Sequence, residues 1–546
     1  MTATRSPRRR VFQCGMSAPK YPTQRKYPTL GVLMVGCLVV AACGSGKSAL
    51  DAGNDDTILP ATAIPVVPVP TGAADPSITA NAGDADDEGE PSPPPPTEPS
   101  PTTTIAPLAE LPPCPVDALA TAGGPVEITF WHGLGNELEV ALNQTIADYN
   151  ASQGQVVVEL QNQVSYEAIA DKYIQSNVDD RPDIVQLPEY VVQSFAQSDT
   201  FVPVQACAEA SDYDTSAFLP RTLGAYVFEG IQWALPFNVS NPVLYYNRQM
   251  FEQAGLDPDD PPVTLEELRE VSQQLVDSGV SSTGIALDSG RDSGGGWFFE
   301  QWFSRAGALY ADNGNGRSAP ATKVLFNNEL GIELLTYLQE MIDSGLAVTV
   351  GDNAGGQDSF LRMIDQDAPA AMTISTSAAI SSVIAALGSG IAQGLGPEDI
   401  GVGPMPGPSD TPAAQVGGAS LWIPAGHDDE VTAAAWDFMQ YLTAAQTQST
   451  WADATGYIPI RTDALTLDPI DSRYTNDGRY QVAFDQLLAA ADDPSAQVPA
   501  IGPQREVRSV TADAIATIYG GGDIAQALAD AEAAANALIA NYNARN

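Results

Sequence analysis

The sequence has few of the side chains that metal centres and nucleic-acid interfaces need. Its 546 residues include two histidines and five cysteines, and 24 Lys and Arg stand against 68 Asp and Glu. Phosphate contacts need clustered cations, so a chain with a formal net charge of −44 is not expected to bind nucleic acid. With only His132 and His427 available as imidazole ligands, the sequence predicts no zinc site and no other metal centre.

No catalytic motif stands out either. The sequence lacks the Gly-x-Ser-x-Gly turn of many hydrolases and the ligand spacing of a calcium loop. The sequence therefore predicts a protein that is not an enzyme and that needs no cofactor. Acidic residues are so numerous that a catalytic carboxylate pair could be among them, which leaves a glycan hydrolase open as an alternative.

The N-terminal region has the parts of a bacterial lipoprotein signal. The first 29 residues carry seven Lys or Arg and no acidic residue, and the apolar run Leu30–Ala42 that follows is too short to span a membrane as a helix. Small residues then precede Cys43. We expect residues 1–42 to be removed as a signal peptide and Cys43 to be lipidated, which would anchor the protein at the cell surface, on the outer face of the cytoplasmic membrane. Met16 is an alternative start of translation.

Residues 43–113 are predicted to be a flexible tether. From residue 44 onward this segment has fifteen prolines, eleven acidic residues, one lysine and no aromatic residue. Such a composition cannot bury enough apolar surface to fold. The tether would separate the membrane anchor from a folded domain at residues 114–546.

Two cysteines remain in the predicted domain, Cys114 and Cys207, once the signal peptide is removed and Cys43 is lipidated. Outside the cytoplasm such a pair is expected to form a disulfide. Two separate buried thiols are the alternative.

The domain at residues 114–546 is larger than one hydrophobic core usually serves, and strand and helix patterns alternate along it. Strands are predicted near residues 126–130, 156–160 and 183–187, with helices at 136–151 and 166–176 between them. This order favours a mostly parallel sheet with helices on both faces. The sequence thus predicts two α/β domains.

The most specific motif occupies residues 235–268 and reads LPFNVSNPVLYYNRQMFEQAGLDPDDPPVTLEEL. It combines an apolar strand, a short helix that ends at Gly255, and a capping box formed by Thr264 and Glu267. Further blocks occur in order along the chain: ITFWHGLGNELE, VQLPEY, GVGPMP, VGGASLWIPAG and TGYIPIR. Together they resemble the extracellular solute-binding proteins of ABC importers, and within that family the glycerol-3-phosphate binders.

The resemblance implies the two-lobe, periplasmic-binding-protein-like α/β fold of class II type, with a hinge and a ligand cleft between the lobes. Closure of such lobes around a ligand is a hinge motion. The chain is expected to cross between the lobes near residues 235–243, 366–372 and 424–430. Lobe 1 is then expected at about 125–238 and 370–425, and lobe 2 at about 243–366 and 428–546.

The resemblance also implies a set of residues that contact the ligand. A carboxylate at Glu189 would accept hydrogen bonds from ligand hydroxyls, and the guanidinium of Arg508 has the geometry that phosphate favours. A bare backbone N–H at Gly418 would suit a phosphate oxygen. Arg505 is the alternative to Arg508. The full predicted set is Tyr166, Glu189, Ser240, Trp297, Thr376, Gly418, Tyr457 and Arg508.

One motif departs from the family pattern. The family has two tryptophans before a glutamate-bearing helix, whereas here Asp292–Gly296 precede Trp297, and only the second tryptophan is kept. We expect a wider pocket on this side, which favours a phosphodiester such as glycerophosphocholine, or a sugar, over glycerol-3-phosphate.

The predicted function is that of a lipid-anchored, monomeric binding protein for a small polar solute, a glycerol phosphate or a glycerophosphodiester. The resemblance implies ABC permease subunits with a cytoplasmic ATPase as partners. A sugar or oligosaccharide is the alternative ligand, and a cell-surface sensor is the alternative outside transport.

Overall fold

The computed structural model describes residues 111–353 and 356–546 of the chain. The predicted signal peptide, Cys43 and residues 43–110 of the predicted tether lie outside these residues. Within the described part, every helix is too short or too polar to cross a membrane.

Strands and helices alternate through most of the described residues. The strands are β1 (Val126–His132), β2 (Val156–Asn162), β3 (Ile184–Pro188), β4 (Phe201–Val202), β5 (Val227–Phe228), β6 (Ile231–Gln232), β7 (Leu235–Ser240), β8 (Pro242–Asn247), β9 (Thr283–Leu287), β10 (Ala347–Thr349), β11 (Ala370–Thr376), β12 (Ile400–Pro404) and β13 (Gly417–Pro424). The helices are α1 (Asn136–Ser152), α2 (Tyr166–Gln175), α3 (Val192–Ala196), α4 (Val204–Ala210), α5 (Pro220–Gly224), α6 (Arg248–Ala254), α7 (Leu265–Asp277), α8 (Trp297–Arg305), α9 (Asp312–Asn315), α10 (Glu329–Asp343), α11 (Asp358–Met363), α12 (Ile380–Gly388), α13 (Asp429–Leu442), α14 (Ala445–Thr455), α15 (Ile470–Asn476), α16 (Val482–Ala489), α17 (Gln504–Tyr519) and α18 (Ile524–Asn543).

Two sheets organise the two lobes. The first has the order β2-β1-β3-β13-β4, and β7 also pairs with β13. The second has the order β10-β9-β11-β8-β12. The strands joined by helical crossovers, β1 with β2 and β3, and β9 with β10 and β11, are parallel. However, β13 runs antiparallel to its three neighbours and β8 to both of its own, so the sheets are mixed rather than mostly parallel.

The motif at residues 235–268 folds largely as its sequence predicts. Gly255 ends α6 with a left-handed φ of +78°, where a glycine avoids the clash of a Cβ atom. At the start of α7, the hydroxyl of Thr264 accepts from the backbone N–H of Glu267 at 3.1 Å. The Glu267 carboxylate accepts from the backbone N–H of Thr264 at 2.9 Å, which completes the capping box.

The predicted lobe boundaries need correction. Strands β11 and β12, assigned to lobe 1, pair within the second sheet. Helices α13 and α14, assigned to lobe 2, pack against β1 and α1 of the first lobe. The chain therefore crosses between β7 and β8, between β12 and β13, and between α14 and α16, and only the first of these crossings falls in a predicted segment. Hydrophobic patterns identify a strand but not its partner, so they could not place the other two.

A disulfide joins Cys114 to Cys207, 93 residues apart. Cys207 lies on α4 and is fully buried, in a cluster with Ile128 of β1 and Trp436 of α13. The bond therefore ties the first described residues of the chain to the core of lobe 1.

Candidate ligand-binding site between the lobes

Three strands of the first sheet bring predicted site residues to one edge. At the end of β3, Pro188 pairs with Ala419 of β13, and Asn238 of β7 pairs with the same residue from the other side. Ser240, the last residue of β7, pairs with Gly417. Glu189, which follows β3, is thereby placed beside the start of β13. Ligands of open α/β sheets bind at such strand ends.

A buried ion cluster joins the two lobes at this edge. From α17 of lobe 2, Nε and Nη2 of Arg508 donate to the two carboxylate oxygens of Glu300 on α8, at 2.8 and 2.7 Å. Nη2 also donates to Glu189 of lobe 1 at 3.0 Å. The side chains of all three are at most 4 % exposed. Among the described residues Nη1 of Arg508 has no hydrogen-bond acceptor, so one edge of the guanidinium keeps a donor for a ligand.

The electrostatics of this cluster are set by burial. Burial raises the pKa of Glu189 to about 7, although the charge of Arg508 acts in the opposite direction. The amide of Gln504, one turn before Arg508 on α17, donates to Glu300 as well. With both carboxylates ionised, the cluster carries one more negative than positive charge.

An amide and two phenols line the lobe 1 side. Asn238 donates to the hydroxyl of Tyr166 at 2.8 Å and accepts from the amide of Gln186 at 2.8 Å. The phenol of Tyr457 neighbours both Tyr166 and Asn238, and its ring stacks on Trp451 with the two planes only 7° apart. Burial raises the pKa of both tyrosines, so each hydroxyl keeps its proton at neutral pH. These groups can therefore both donate to and accept from the hydroxyls of a polyol.

Glycines at the start of β13 allow close packing. A Cβ atom at Gly417 would lie 2.1 Å from the ring atom Cζ2 of Trp297, which is 7 % exposed. Gly418 has a φ of +95°, and a Cβ atom there would lie 2.1 Å from the backbone oxygen of Asn238. Neither position accepts a larger residue without movement of the backbone or of the Trp297 indole.

The glycine-rich loop before α8 packs tightly as well. A Cβ atom at Gly295 would lie 2.1 Å from the backbone oxygen of Ser289 and 2.7 Å from Cα of Ala512 on α17. At Gly296 it would lie 3.0 Å from Cβ of Arg508. The glycines that replace the first family tryptophan therefore let α17 approach the start of α8, which brings Arg508 to Glu300.

Ser240 and Thr376 lie next to the crossing of the chain between β7 and β8. Ser240 is 4 % exposed. Thr376, at the end of β11, pairs with Pro242 at the start of β8. Its hydroxyl accepts from the backbone N–H of Ala378 at 3.3 Å and thus caps the next turn. The Thr376 hydroxyl thus already has a hydrogen-bond partner. The neighbouring buried hydroxyl of Ser377 has no hydrogen-bond partner among the described residues.

Two further ion pairs cross between the lobes at the rim of the site. Arg505 of α17 donates to Asp171 of α2 at 2.6 Å, and Arg291 lies 2.8 Å from Glu167 of α2. Hydrogen bonds from Arg505 lower the pKa of Asp171. In these two pairs, as in the buried cluster, lobe 1 supplies the carboxylate that meets an arginine of lobe 2.

The eight predicted residues thus lie along one interlobe region, with Glu189 and Arg508 in direct contact and Tyr166 linked to Tyr457 through Asn238. Arg505, the alternative to Arg508, lies at the rim. Sequence reasoning missed Asn238 and Glu300. Glu300 follows Trp297 by three residues on α8, so helical spacing could have placed both on one face.

The geometry is that of a two-lobe α/β protein with a buried polar region between its lobes. The family model described as bacterial extracellular solute-binding protein matches residues 144–479. The chain belongs to this family, whose members are solute-binding components of ABC importers and lie outside the cytoplasm.

Among curated proteins, the chain is similar to the sn-glycerol-3-phosphate-binding periplasmic protein UgpB of Yersinia pseudotuberculosis. The identity is 29 % over 421 residues, which are 75 % of this chain and 91 % of the relative. The UgpB protein of Pectobacterium atrosepticum is 27 % identical over 443 residues, 79 % of this chain and 95 % of the relative.

Solved structures share the fold. UgpB from Mycobacterium tuberculosis in complex with glycerophosphocholine has a TM-score of 0.64 at 22 % identity, over 77 % of this chain and 100 % of the other. The cyclic alpha-maltosyl-1,6-maltose binding protein from Arthrobacter globiformis has a TM-score of 0.61 at 24 % identity, over 77 % of this chain and 100 % of the other.

Proposed function

We propose that this protein captures a glycerol phosphate or a glycerophosphodiester, such as glycerophosphocholine, for uptake by its ABC importer. The observation that carries the proposal is the buried cluster of Glu189, Glu300 and Arg508 between the lobes, next to two tyrosines and an amide. Relatives named as glycerol-3-phosphate binders, matched over about nine-tenths of their length, support the same ligand class.

The proposed roles follow from the chemistry of each group. Arg508 would donate from its free Nη1 edge to a phosphate oxygen. Glu189 would accept from a glycerol hydroxyl, while Tyr166 and Tyr457 would bind the remaining hydroxyls. For a choline head group, the indole of Trp297 is a suitable cation–π partner, an interaction of about 0.5–2 kcal/mol.

A neutral sugar or oligosaccharide is the second candidate. The positive charge of Arg508 is already compensated by Glu300, which reduces its attraction for an anion. A protein named for a cyclic maltosyl sugar also shares this fold. A role in sensing rather than in transport would use the same ligand site.

Ligand titrations of the purified protein test the proposal. A true ligand present at about 100 times its dissociation constant should stabilise the fold by about 2.7 kcal/mol. We expect a rise in melting temperature with glycerophosphocholine or glycerol-3-phosphate and none with maltose. A rise with maltose and with neither phosphate compound would replace the proposed ligand class by the sugar alternative.

We further propose that residues 1–42 are a cleaved signal peptide, that Cys43 carries the lipid anchor, and that residues 44–113 tether a monomeric domain to the membrane. The support is the sequence pattern around Cys43 together with the extracytoplasmic family. Cys43→Ala should release the protein from the membrane fraction or leave an uncleaved precursor. A processed variant that still fractionates with membranes would contradict the anchor.

A further inference from the structure

We propose that Glu300 determines the charge of the solute that the cleft accepts. By holding Arg508, it makes the site select solutes with at most one negative charge, such as phosphodiesters and zwitterions, over the dianions of phosphate monoesters. This inference deepens the proposed function and depends on it for the ligand class. Glu300 acts through Arg508 and is therefore a positioning residue.

The geometry makes Glu300 the main partner of Arg508. Glu300 accepts two of the three ionic hydrogen bonds that Arg508 donates, and both side chains belong to lobe 2. The arginine is therefore already neutralised within its own lobe, before Glu189 of lobe 1 adds a second carboxylate at 3.0 Å. Gln504 donates to the same Glu300 carboxylate and helps to hold it in place.

Because the ion pair is buried, it can select between ligands of different negative charge. Glu300 is 0 % and Arg508 1 % exposed, so neither charge is screened by water. Charges interact strongly in such surroundings. A ligand with one negative charge gains hydrogen bonds from the guanidinium that offset repulsion by the net negative cluster. A second negative charge on the ligand would add repulsion from Glu300 and Glu189 without a further cation to compensate it.

Other charged and titratable groups also face the cluster, and they must be separated from the effect of Glu300. Against the effect of burial, the negative charge of Asp292, in the loop before α8, favours the charged form of Arg508 and raises its pKa. The ring of Tyr190 lies against the guanidinium, with its centroid 4.9 Å away. Burial raises the pKa of Tyr190, and the charge of Arg291, in the same loop, lowers it. For Tyr310 of lobe 2, burial and the charge of Glu300 raise the pKa and the charge of Arg508 lowers it. A comparison of two ligands on one protein, at each pH, largely removes the titration of these groups. Glu189 also ionises within the tested range, because burial raises its pKa to about 7, so its contribution to the affinity ratio is measured separately in Glu189→Gln.

The test uses two ligands that differ in the charge of one phosphate. Glycerol-3-phosphate loses its second proton with a pKa of about 6, so it is mainly a monoanion at pH 5 and a dianion at pH 8. Its methyl diester remains a monoanion at both. Calorimetric titration of the full chain measures the affinity for each ligand at each pH, for wild type, for Glu300→Gln, and for Glu506→Gln, a matched charge change at an exposed position on α17.

For wild type we expect the affinity ratio of diester to monoester to rise about tenfold between pH 5 and pH 8, and for Glu300→Gln we expect most of this rise to disappear. Glu506→Gln should behave as wild type. A flat ratio in wild type overturns the inference without any variant, so the test survives if Glu300→Gln fails to fold. An equal change of both affinities in Glu300→Gln also overturns it, because Glu300 would then be structural only.

Failure of the proposed function would give a different result. If wild type binds neither phosphate compound, the proposed ligand class is wrong. The inference is then supported if Glu300→Gln gains measurable affinity for glycerol-3-phosphate at pH 8, and it is overturned if no affinity is gained.

Discussion

At the centre of the boundary between the lobes, Arg508 meets Glu189 and Glu300 with side chains at most 4 % exposed. At the rim, Arg505 meets Asp171 with side chains 28 % and 50 % exposed. The bonds are of the same kind and the shortest contacts are of similar length, 2.7 and 2.6 Å. The two regions therefore differ mainly in their access to water.

This difference determines what each pair can do. Taking charges out of water is costly, and a buried pair offsets that cost only while all partners are present. An exposed pair is screened by water and salt and contributes little to stability. We infer that the centre restricts which ligand charges are accepted, while the ion pairs of the rim contribute little to the contact between the lobes.

Removal of the central cation should have the largest effect. Arg508→Ala leaves Glu189 and Glu300 buried without their cation, and we expect it to lower the free energy of unfolding by about 3–5 kcal/mol. Urea titration of the unliganded protein at pH 7 measures the change. Arg505→Ala is the matched control on the same helix. If both variants lose a similar amount of unfolding free energy, burial does not make the central ion cluster more important for stability than the pair at the rim.

Neutralisation of Glu189 should have a smaller effect that depends on pH. Because burial raises the pKa of Glu189 to about 7 from an ordinary 4.5, its contribution to stability is fully present below about pH 4.5 and is lost as the pH rises through about 7. Glu189→Gln does not undergo this loss. Relative to wild type, the variant should therefore gain about 1–3 kcal/mol in unfolding free energy between pH 5 and pH 8.

Thermal unfolding across that pH range, with Glu506→Gln as the exposed control, measures the difference. A constant difference between Glu189→Gln and wild type would show that Glu189 has an ordinary pKa. Its pairing with Arg508 would then offset its loss of water.

Much of the fold could be predicted from local sequence patterns. The capping box of Thr264, the stop at Gly255 and the alternation of β1, α1 and β2 depend on residues close in the chain, and these elements form nearly as predicted. The partners of β11 and the position of α13 depend on pairing between distant segments, and there the predicted lobe boundaries were wrong.

In the site, too, some features could be predicted from the sequence, and others depend on packing between distant segments. Resemblance to a family supplied Glu189 and Arg508, which the structure brings into contact. It could not supply the bidentate bond of Glu300 to Arg508, because that bond depends on how α8 and α17 pack. The three glycines before α8 were read as space for a ligand, but they also permit this packing. Whether the loss of the first tryptophan opens space for a ligand therefore depends on how closely α17 packs against the loop before α8.

The rim should give the smallest effect, and it sharpens the contrast with the centre. In a double-mutant cycle of Asp171→Asn and Arg505→Gln, we expect a coupling of about 0.2–1 kcal/mol at low salt, because both side chains are partly exposed. At about 1 M salt the Debye length falls to about 3 Å, and the coupling should vanish. Urea unfolding at both salt concentrations measures it. A coupling above 2 kcal/mol that persists in salt would place the Asp171–Arg505 pair in the same category as the buried centre, and access to water would then no longer explain the difference between the two regions.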